Sequence, residues 1–202
     1  IAVALKVLDD VLQHTHCPLI IGGSGNKKKD VELFNACAAA IEGNRFLLSS
    51  ADKQTWDQVC PIAKKFGQNV LLWAQLNISE QRRLVKNALS IDFPRDQIVL
   101  DPTCATLGYG LEYSFSIYQR IRLAGLHGDT SLNFPLSGGT TNAWGARESW
   151  MKELLHTPNK GGSRAFRGPL WEMSTAVALS LTGLNLAMML HPLSAMLFKR
   201  FI

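Results

Sequence analysis

The sequence predicts an α/β protein built as a TIM (β/α) barrel, of which this chain carries about six of the eight βα units. Three observations predict it: short continuous apolar runs, helical apolar stripes between them, and near-even spacing of the two. The runs are Pro18–Gly22, Phe46–Ala51, Asn69–Leu76, Gln97–Leu100, Leu132–Leu136 and Asn185–Leu190. Continuous rather than alternating apolar runs suit strands buried on both faces of a parallel sheet. The first intervals are roughly 25 residues each, the length of a compact βα unit with short loops. A complete barrel needs about 250 residues, and the chain has 202. One lone helix, Ala2 to His14, precedes the first run. The first two βα units are therefore expected to be missing, and the chain to form one partial domain over residues 1–202.

The helices follow in order. Val31, Phe34, Cys37 and Ile41 share one face of a helix that Asp30 is placed to cap, and Leu84, Val85, Ala88 and Leu89 share another after Ser79. Leu111, Phe115, Tyr118 and Ile121 form a third stripe. Pro169 suits a first helical position before Trp171–Leu181, with Gly183 as the stop, and Pro192 opens a last helix.

Composition narrows the function classes. Hydrophobic residues at 47% with 18% charged are those of a globular chain, not a disordered one. The longest apolar stretch, Val177 to Leu190, is broken by Thr182, Gly183 and Asn185, so no membrane span is expected. Ile1 opens inside an amphipathic pattern with no secretory leader before it, which is read as a start within a longer protein. Cys17, Cys37, Cys60 and Cys104 form no CxxC pair, so buried free thiols in a cytoplasmic protein are expected, with no zinc or iron–sulfur site on this chain. The charge of +5 is dispersed over Lys27-Lys28-Lys29, Lys64-Lys65, Arg82-Arg83, Arg164 with Arg167, and Lys199-Arg200. No aromatic platform interleaves them, so they are solvated helix ends rather than a nucleic-acid surface.

In a βα barrel, ligands meet the loops that follow the strands. After the first run stands Gly22-Gly23-Ser24-Gly25-Asn26, either a tight turn or a loop that brings backbone N–H groups to a ligand. It is neither a Walker nor a GxGxxG motif, since Lys28 holds the third glycine position. The fourth run ends in Asp101-Pro102-Thr103-Cys104, followed by Gly108-Tyr109-Gly110 and Glu112. Asp101 can accept a hydrogen bond from a ligand or close an Asx turn; Tyr109 is either packed or held at a barrel mouth by its two glycines. Ser137-Gly138-Gly139-Thr140-Thr141-Asn142-Ala143-Trp144 offers small polar residues for close approach to a large ligand, or simple flexibility. His191, before Pro192, is structural or ligand-facing, and His14 with His16 lacks further metal ligands. No nucleophile–base–orienter set is present in the sequence pattern. Residue chemistry alone stops at a barrel that binds a polar ligand of some size.

The stretch Asp101–Ser114 (DPTCATLGYGLEYS) closely resembles the long Asp-Pro-Thr signature of the corrinoid/iron–sulfur protein small subunit, the delta subunit of acetyl-CoA decarbonylase/synthase. Gly138–Glu148, Phe166–Glu172, Met188–Pro192, Ile21–Asn26 and Leu48–Asp52 resemble its other motifs, so the likeness covers essentially the whole chain. Cys104 stands where that family is expected to have Thr, a change conservative in size, and the loop His156–Ser163 departs from the pattern and is expected at the surface. The resemblance implies a TIM barrel paired with a large subunit that carries a [4Fe–4S] cluster and a corrinoid domain. It implies a corrinoid (cobalamin) shared at the subunit interface, with the barrel mouth over one face of the ring. The cobalt would take a methyl group from a methyltetrahydropterin, with a methyltransferase, and pass it to CO dehydrogenase/acetyl-CoA synthase in the acetyl-CoA (Wood–Ljungdahl) pathway. By resemblance the cofactor-binding residues are Asn26, Asp101, Thr103, Gly108, Tyr109, Gly110, Thr140, Asn142 and His191, with no catalytic triad and no protein-held metal. Two rival readings stand beside it. One is a self-contained pterin-binding barrel methyltransferase of the methyltetrahydrofolate or dihydropteroate type, with Asp101 and Asn142 on the pterin. The other is a barrel that only holds the large subunit in place.

Overall fold

The computed structural model describes residues 1–152 and 162–202, so most of the loop His156–Ser163 lies outside the described residues. The chain folds as two compact units, Ile1–Ala74 with Ser79–Leu100, and Gln75–Ile78 with Asp101–Ile202. Six strands follow one another in chain order along the sheet.

The first unit opens with α1 (Ala2–His14), β1 (Ile20–Gly22), α2 (Lys27–Ala40) and β2 (Leu47–Ala51). It continues with α3 (Trp56–Lys65), β3 (Asn69–Trp73), α4 (Ile78–Ser90) and β4 (Ile98–Asp101), whose last residue passes into the second unit. β1 pairs with β2 and β2 with β3, both parallel, Leu48 standing opposite Ile21 on one side and Val70 on the other. The α/β class and the alternation of strands and helices are as the sequence predicts. Leu48, Val70, Leu72, Val59, Leu84 and Val85 are fully buried and make the core. Below the strands, buried Gln68 accepts from Phe46 N and donates to the carbonyls of Asn44 and Phe66. One amide side chain thus satisfies three backbone groups where two strands begin.

The second unit contains α5 (Leu111–Leu126), β5 (Leu136–Gly138), a 3₁₀ turn (Thr140–Gly145), α6 (Arg147–Trp150), α7 (Arg164–Ser180), β6 (Leu184–Ala187) and α8 (Pro192–Phe201). β5 and β6 pair in parallel. Tyr118 and Ile121 of α5, with Leu132, Leu136, Ala176 and Leu179, are buried in this unit.

Several expected boundaries move, each for a local reason. The fifth strand is Leu136–Gly138, not Leu132–Leu136. Pro135 has no N–H to give a ladder, so Leu132 and Phe134 are buried in the preceding turn instead. The third strand stops at Trp73, and Leu76 beyond it is left-handed at φ 49°. The last strand ends at Ala187, because Leu190 N is drawn to a side-chain carboxylate and away from the ladder. Asp30 does not cap α2: Asn26 does, accepting from Lys29 N at 3.2 Å, while Asp30 binds back to the loop before it. Ser79 lies inside the first turn of α4 rather than capping it. β1 and β6, the end strands, are only partly buried, unlike β2 to β5. Cys37, Cys60 and Cys104 are buried free thiols as expected, but Cys17 is exposed. Among the described residues, no helix is long and apolar enough to cross a membrane.

Pro169 sits inside α7, not at its start, because the helix begins at Arg164. The residue before a proline resists helical geometry unless it is glycine, and here it is Gly168. That glycine is doubly required, since a Cβ on it would overlap the six-membered ring of Trp144. Gly168→Ala is therefore expected to destabilise the fold by about 1–3 kcal/mol through overpacking. Urea unfolding measures this; an unchanged midpoint would show that Trp144 yields freely.

Candidate functional site

In the second unit the loops that follow β4, β5 and β6 are all tied to α7. Glu172 of α7 is fully buried. Its Oε1 accepts from Leu190 N at 2.6 Å, and its Oε2 accepts from His191 N at 3.2 Å and from Trp144 Nε1 at 3.1 Å. One carboxylate thus joins the loop after β6 to the turn after β5. On the same helix, Trp171 Nε1, from the residue before Glu172, donates to Leu107 O at 2.9 Å, and Leu107 N donates to Thr175 Oγ1, about one turn on, at 3.3 Å, which fastens the loop after β4. Sequence reasoning quoted Glu172 only as the end of a motif and gave it no role. The available signal was an acid on the buried stripe Gly168, Glu172, Thr175, Ala176 and Leu179, where a carboxylate needs several donors to be tolerated.

The β4 end is built around Asp101. It is 5% exposed and its Oδ1 accepts from Thr103 N at 2.8 Å, which is the Asx-turn alternative for this residue. Thr103 has φ 78°, a strained conformation for a β-branched residue. Its N–H is held by Asp101, and its carbonyl accepts from Ser114 Oγ at 3.1 Å. The same Ser114 oxygen accepts from Ala105 N at 2.7 Å. Burial pushes the Asp101 carboxyl up to about 7, against the smaller lowering effect of Thr103 N–H. Burial, and then the neighbouring Asp101, push the Cys104 thiol up to about 12 and raise the Tyr118 phenol too. Tyr118 donates to Ser137 O, beneath Gly138, whose close approach to the Tyr118 hydroxyl leaves no room for a Cβ.

Gly108 and Gly110 are both left-handed, at φ 76° and 94°, and Tyr109 between them is 47% exposed. Its hydroxyl donates to Glu148 Oε2 at 2.9 Å, so of the two alternatives Tyr109 is presented at the surface rather than packed. Thr140 is buried and its Oγ1 donates to Met188 O, while Asn142 is exposed and its Nδ2 donates to Cys104 O at 2.7 Å. His191 caps α8, its Nδ1 accepting from Leu193 N at 3.1 Å, and its ring stacks on Trp144 with centroids 5.7 Å apart. Eight of the nine candidate residues therefore belong to the second unit: Asp101, Thr103, Gly108, Tyr109, Gly110, Thr140, Asn142 and His191. Leu107, Tyr109 and Leu190 stand exposed on the loops that α7 holds. The polar side chains of these loops largely bond within the protein, while apolar ones face outward.

Asn26, the ninth candidate, lies in the first unit and is occupied as the α2 cap. Beside it is a cavity of about 330 Å³ at the ends of β1, β2 and β3, lined by Lys27, Asp30, Phe34, Ser49, Asp52 and Trp73 among others. Lys27 pairs with Asp52 there. Burial raises the Asp52 carboxyl, but the Lys27 ammonium, Gln54 N–H and Thr55 hydroxyl outweigh it and hold the group below its ordinary range. Among the described residues, no group of three or more His, Cys, Asp or Glu is arranged to hold a metal ion.

Residues 2–182 match the family model described as CO dehydrogenase/acetyl-CoA synthase delta subunit. The chain is 50% identical over 199 residues to the acetyl-CoA decarbonylase/synthase complex subunit delta of Archaeoglobus fulgidus, covering 97% of this chain and 44% of that protein. It is 41% identical over 197 residues to the subunit of the same name from Methanocaldococcus jannaschii, covering 97% and 47%. The chain thus spans about half the length of the curated relatives it matches. Among solved structures it is similar to Yersinia pestis dihydropteroate synthase with a pterine-sulfa conjugate, at TM-score 0.60 and 16% identity, covering 97% of this chain and 72% of that one. A likeness at that identity speaks to the fold alone.

The buried Asp101 generates a pH prediction. A carboxyl whose folded pKa is about 7 favours the fold while protonated. Its contribution is full below the ordinary carboxylate range and is lost as pH rises through about 7. Asp101→Asn keeps the acceptor for Thr103 N and removes the titration. The variant is expected to lack a decline in stability with pH, of up to about 1.4 kcal/mol per pH unit, that the unaltered chain shows between the two pKa values. Urea unfolding across that window measures both slopes; equal slopes would place the Asp101 pKa in its ordinary range.

Proposed function

The chain belongs to the CO dehydrogenase/acetyl-CoA synthase delta-subunit family, and on that premise we propose that it is part of the small subunit of a corrinoid/iron–sulfur methyl carrier. In this reading the six strands are six of the eight units of a TIM barrel, an assignment supported by the fold likeness and the strand order. The subunit helps enclose a corrinoid shared with a large subunit that bears the [4Fe–4S] cluster. When bound, the corrinoid supplies a cobalt that accepts a methyl group from a methyltetrahydropterin and gives it up to acetyl-CoA synthase. A methyltransferase and CO dehydrogenase/acetyl-CoA synthase are the remaining partners.

The observation that carries the reading is the exposed apolar rim of Leu107, Tyr109 and Leu190 on loops pinned to α7. A corrin has an apolar face and an amide fringe, so such a rim fits it without a catalytic triad. Contiguous apolar surface is the kind that a partner or ligand covers, whereas apolar residues exposed singly are ordinary. Tyr109 and Leu190 would lie against the ring, and Gly139 and Asn142 would meet its fringe. The rim's work is to orient the cofactor and exclude water, while the reacting groups are held elsewhere.

The test is to co-express the full-length subunit with its large partner without oxygen, and to read cobalt content and the visible spectrum. Loading is expected to need the subunit, and to fall several-fold in the double variant Leu107→Lys, Leu190→Lys. Equal loading without the subunit would sink the proposal. Methyl-pterin binding by the subunit alone would instead support a self-contained pterin-binding barrel.

A further inference from the structure

The loop after β6 holds one side-chain donor whose direction and protonation are both fixed by its neighbours. His191 Nδ1 accepts a hydrogen bond from Leu193 N at 3.1 Å. A ring nitrogen that accepts carries no proton, so the neutral imidazole has its proton on Nε2. Among the described residues nothing bonds to Nε2, and the ring is half-buried. The ring cannot simply turn away. One face stacks on Trp144 at an interplanar angle of 22°, and Trp144 Nε1 is anchored on Glu172 Oε2. The same carboxylate takes His191 N and Leu190 N, and Pro192 restricts the chain on the other side. Backbone, ring plane and tautomer are all set, and one N–H is left over.

We propose that His191 Nε2–H is a fixed hydrogen-bond donor to a carbonyl or phosphate oxygen of the bound corrinoid, with Glu172 as its positioning residue. This rests on the reading that a corrinoid covers this rim. The tautomer also decides what His191 does not do. Its Nε2 lone pair is engaged by the proton, so the residue offers a donor rather than a metal ligand; ligation through Nε2 would move the proton to Nδ1 and break the α8 cap. Glu172 earns its buried charge by holding the residue that makes this contact. A neutral Gln in its place would present an amide N–H to a site that already contains three donors.

The experiment uses the full-length subunit assembled with its corrinoid-bearing partner. The first readout is ¹⁵N NMR of histidine-labelled protein, in which the signal lost in His191→Asn identifies the residue. It is expected to show an unprotonated Nδ1 and a protonated Nε2. The second readout is the rate at which corrinoid is released, followed by absorbance. His191→Asn keeps an acceptor for Leu193 N, since Asn is a good cap, but its shorter side chain carries the amide N–H short of the place that Nε2–H holds. It is expected to release corrinoid roughly tenfold faster, the loss of one hydrogen bond of about 1.4 kcal/mol. Glu172→Gln is expected to shift release in the same direction and to change Trp144 fluorescence. A faster release seen with cobalamin but not with cobinamide, which lacks the nucleotide phosphate, assigns the oxygen to the phosphate; an effect on both assigns it to an amide. Suppose Leu107→Lys, Leu190→Lys impairs loading while His191→Asn releases at the unaltered rate, or Nδ1 is found protonated. The donor proposal is then overturned and the corrinoid reading stands. Full loading and normal retention in the double variant overturn the corrinoid reading, and this proposal with it.

Discussion

The second unit depends on the buried carboxylate of Glu172. Placing a charge in a protein interior is costly, and three N–H donors from two loops offset that cost here. The arrangement works in both directions. Trp144, Leu190 and His191 are positioned because the carboxylate needs them, and the carboxylate is tolerated because they are there. A helix is a stiff element, so loops fastened to adjacent turns of α7 keep their spacing. Trp171 and Thr175 extend the same logic to the loop after β4, so that side chains within one turn of Glu172 on one helix fix three post-strand loops.

That rigidity explains the division between polar and apolar groups on the rim. Asp101, Ser114, Thr140 and Asn142 spend their hydrogen bonds inside the protein, holding strained or irregular backbone in place. Thr103 at positive φ persists because Asp101 and Ser114 grip it from both sides. Leu107, Tyr109 and Leu190 remain exposed on these loops, and no described residue bonds His191 Nε2. In the proposed function such a rim suits a large ligand whose chemistry is its own.

The first unit follows a different local rule. There the loop after β1 is closed by Asp30, whose two oxygens take Ser24 N, Ser24 Oγ and Gly25 N. Gly23 must be glycine because a Cβ would collide with that carboxylate. Lys27, in the first turn of a helix, is placed where a cation is unfavourable to the helix dipole, and its pairing with Asp52 compensates.

Much of this was legible without coordinates, because it is local. Continuous apolar runs showed parallel strands, and the glycines around Tyr109 showed a chain free to bend there. Asp101 before Pro-Thr carried the turn it makes. Strand ends were misplaced where a single backbone feature overrode the apolar pattern, as Pro135 does for β5 and the pull of Glu172 on Leu190 does for β6. The sequence by itself therefore determined the α/β class and the family, since periodicity, turn chemistry and motif identity are properties of neighbouring residues. Only the tertiary structure decided what each loop residue does. Whether Asn142, Thr140 and His191 face a ligand or the protein depends on partners such as Cys104, Met188 and Trp144 that lie far away in the chain. The role of Glu172 follows from long-range hydrogen bonds that no local pattern encodes.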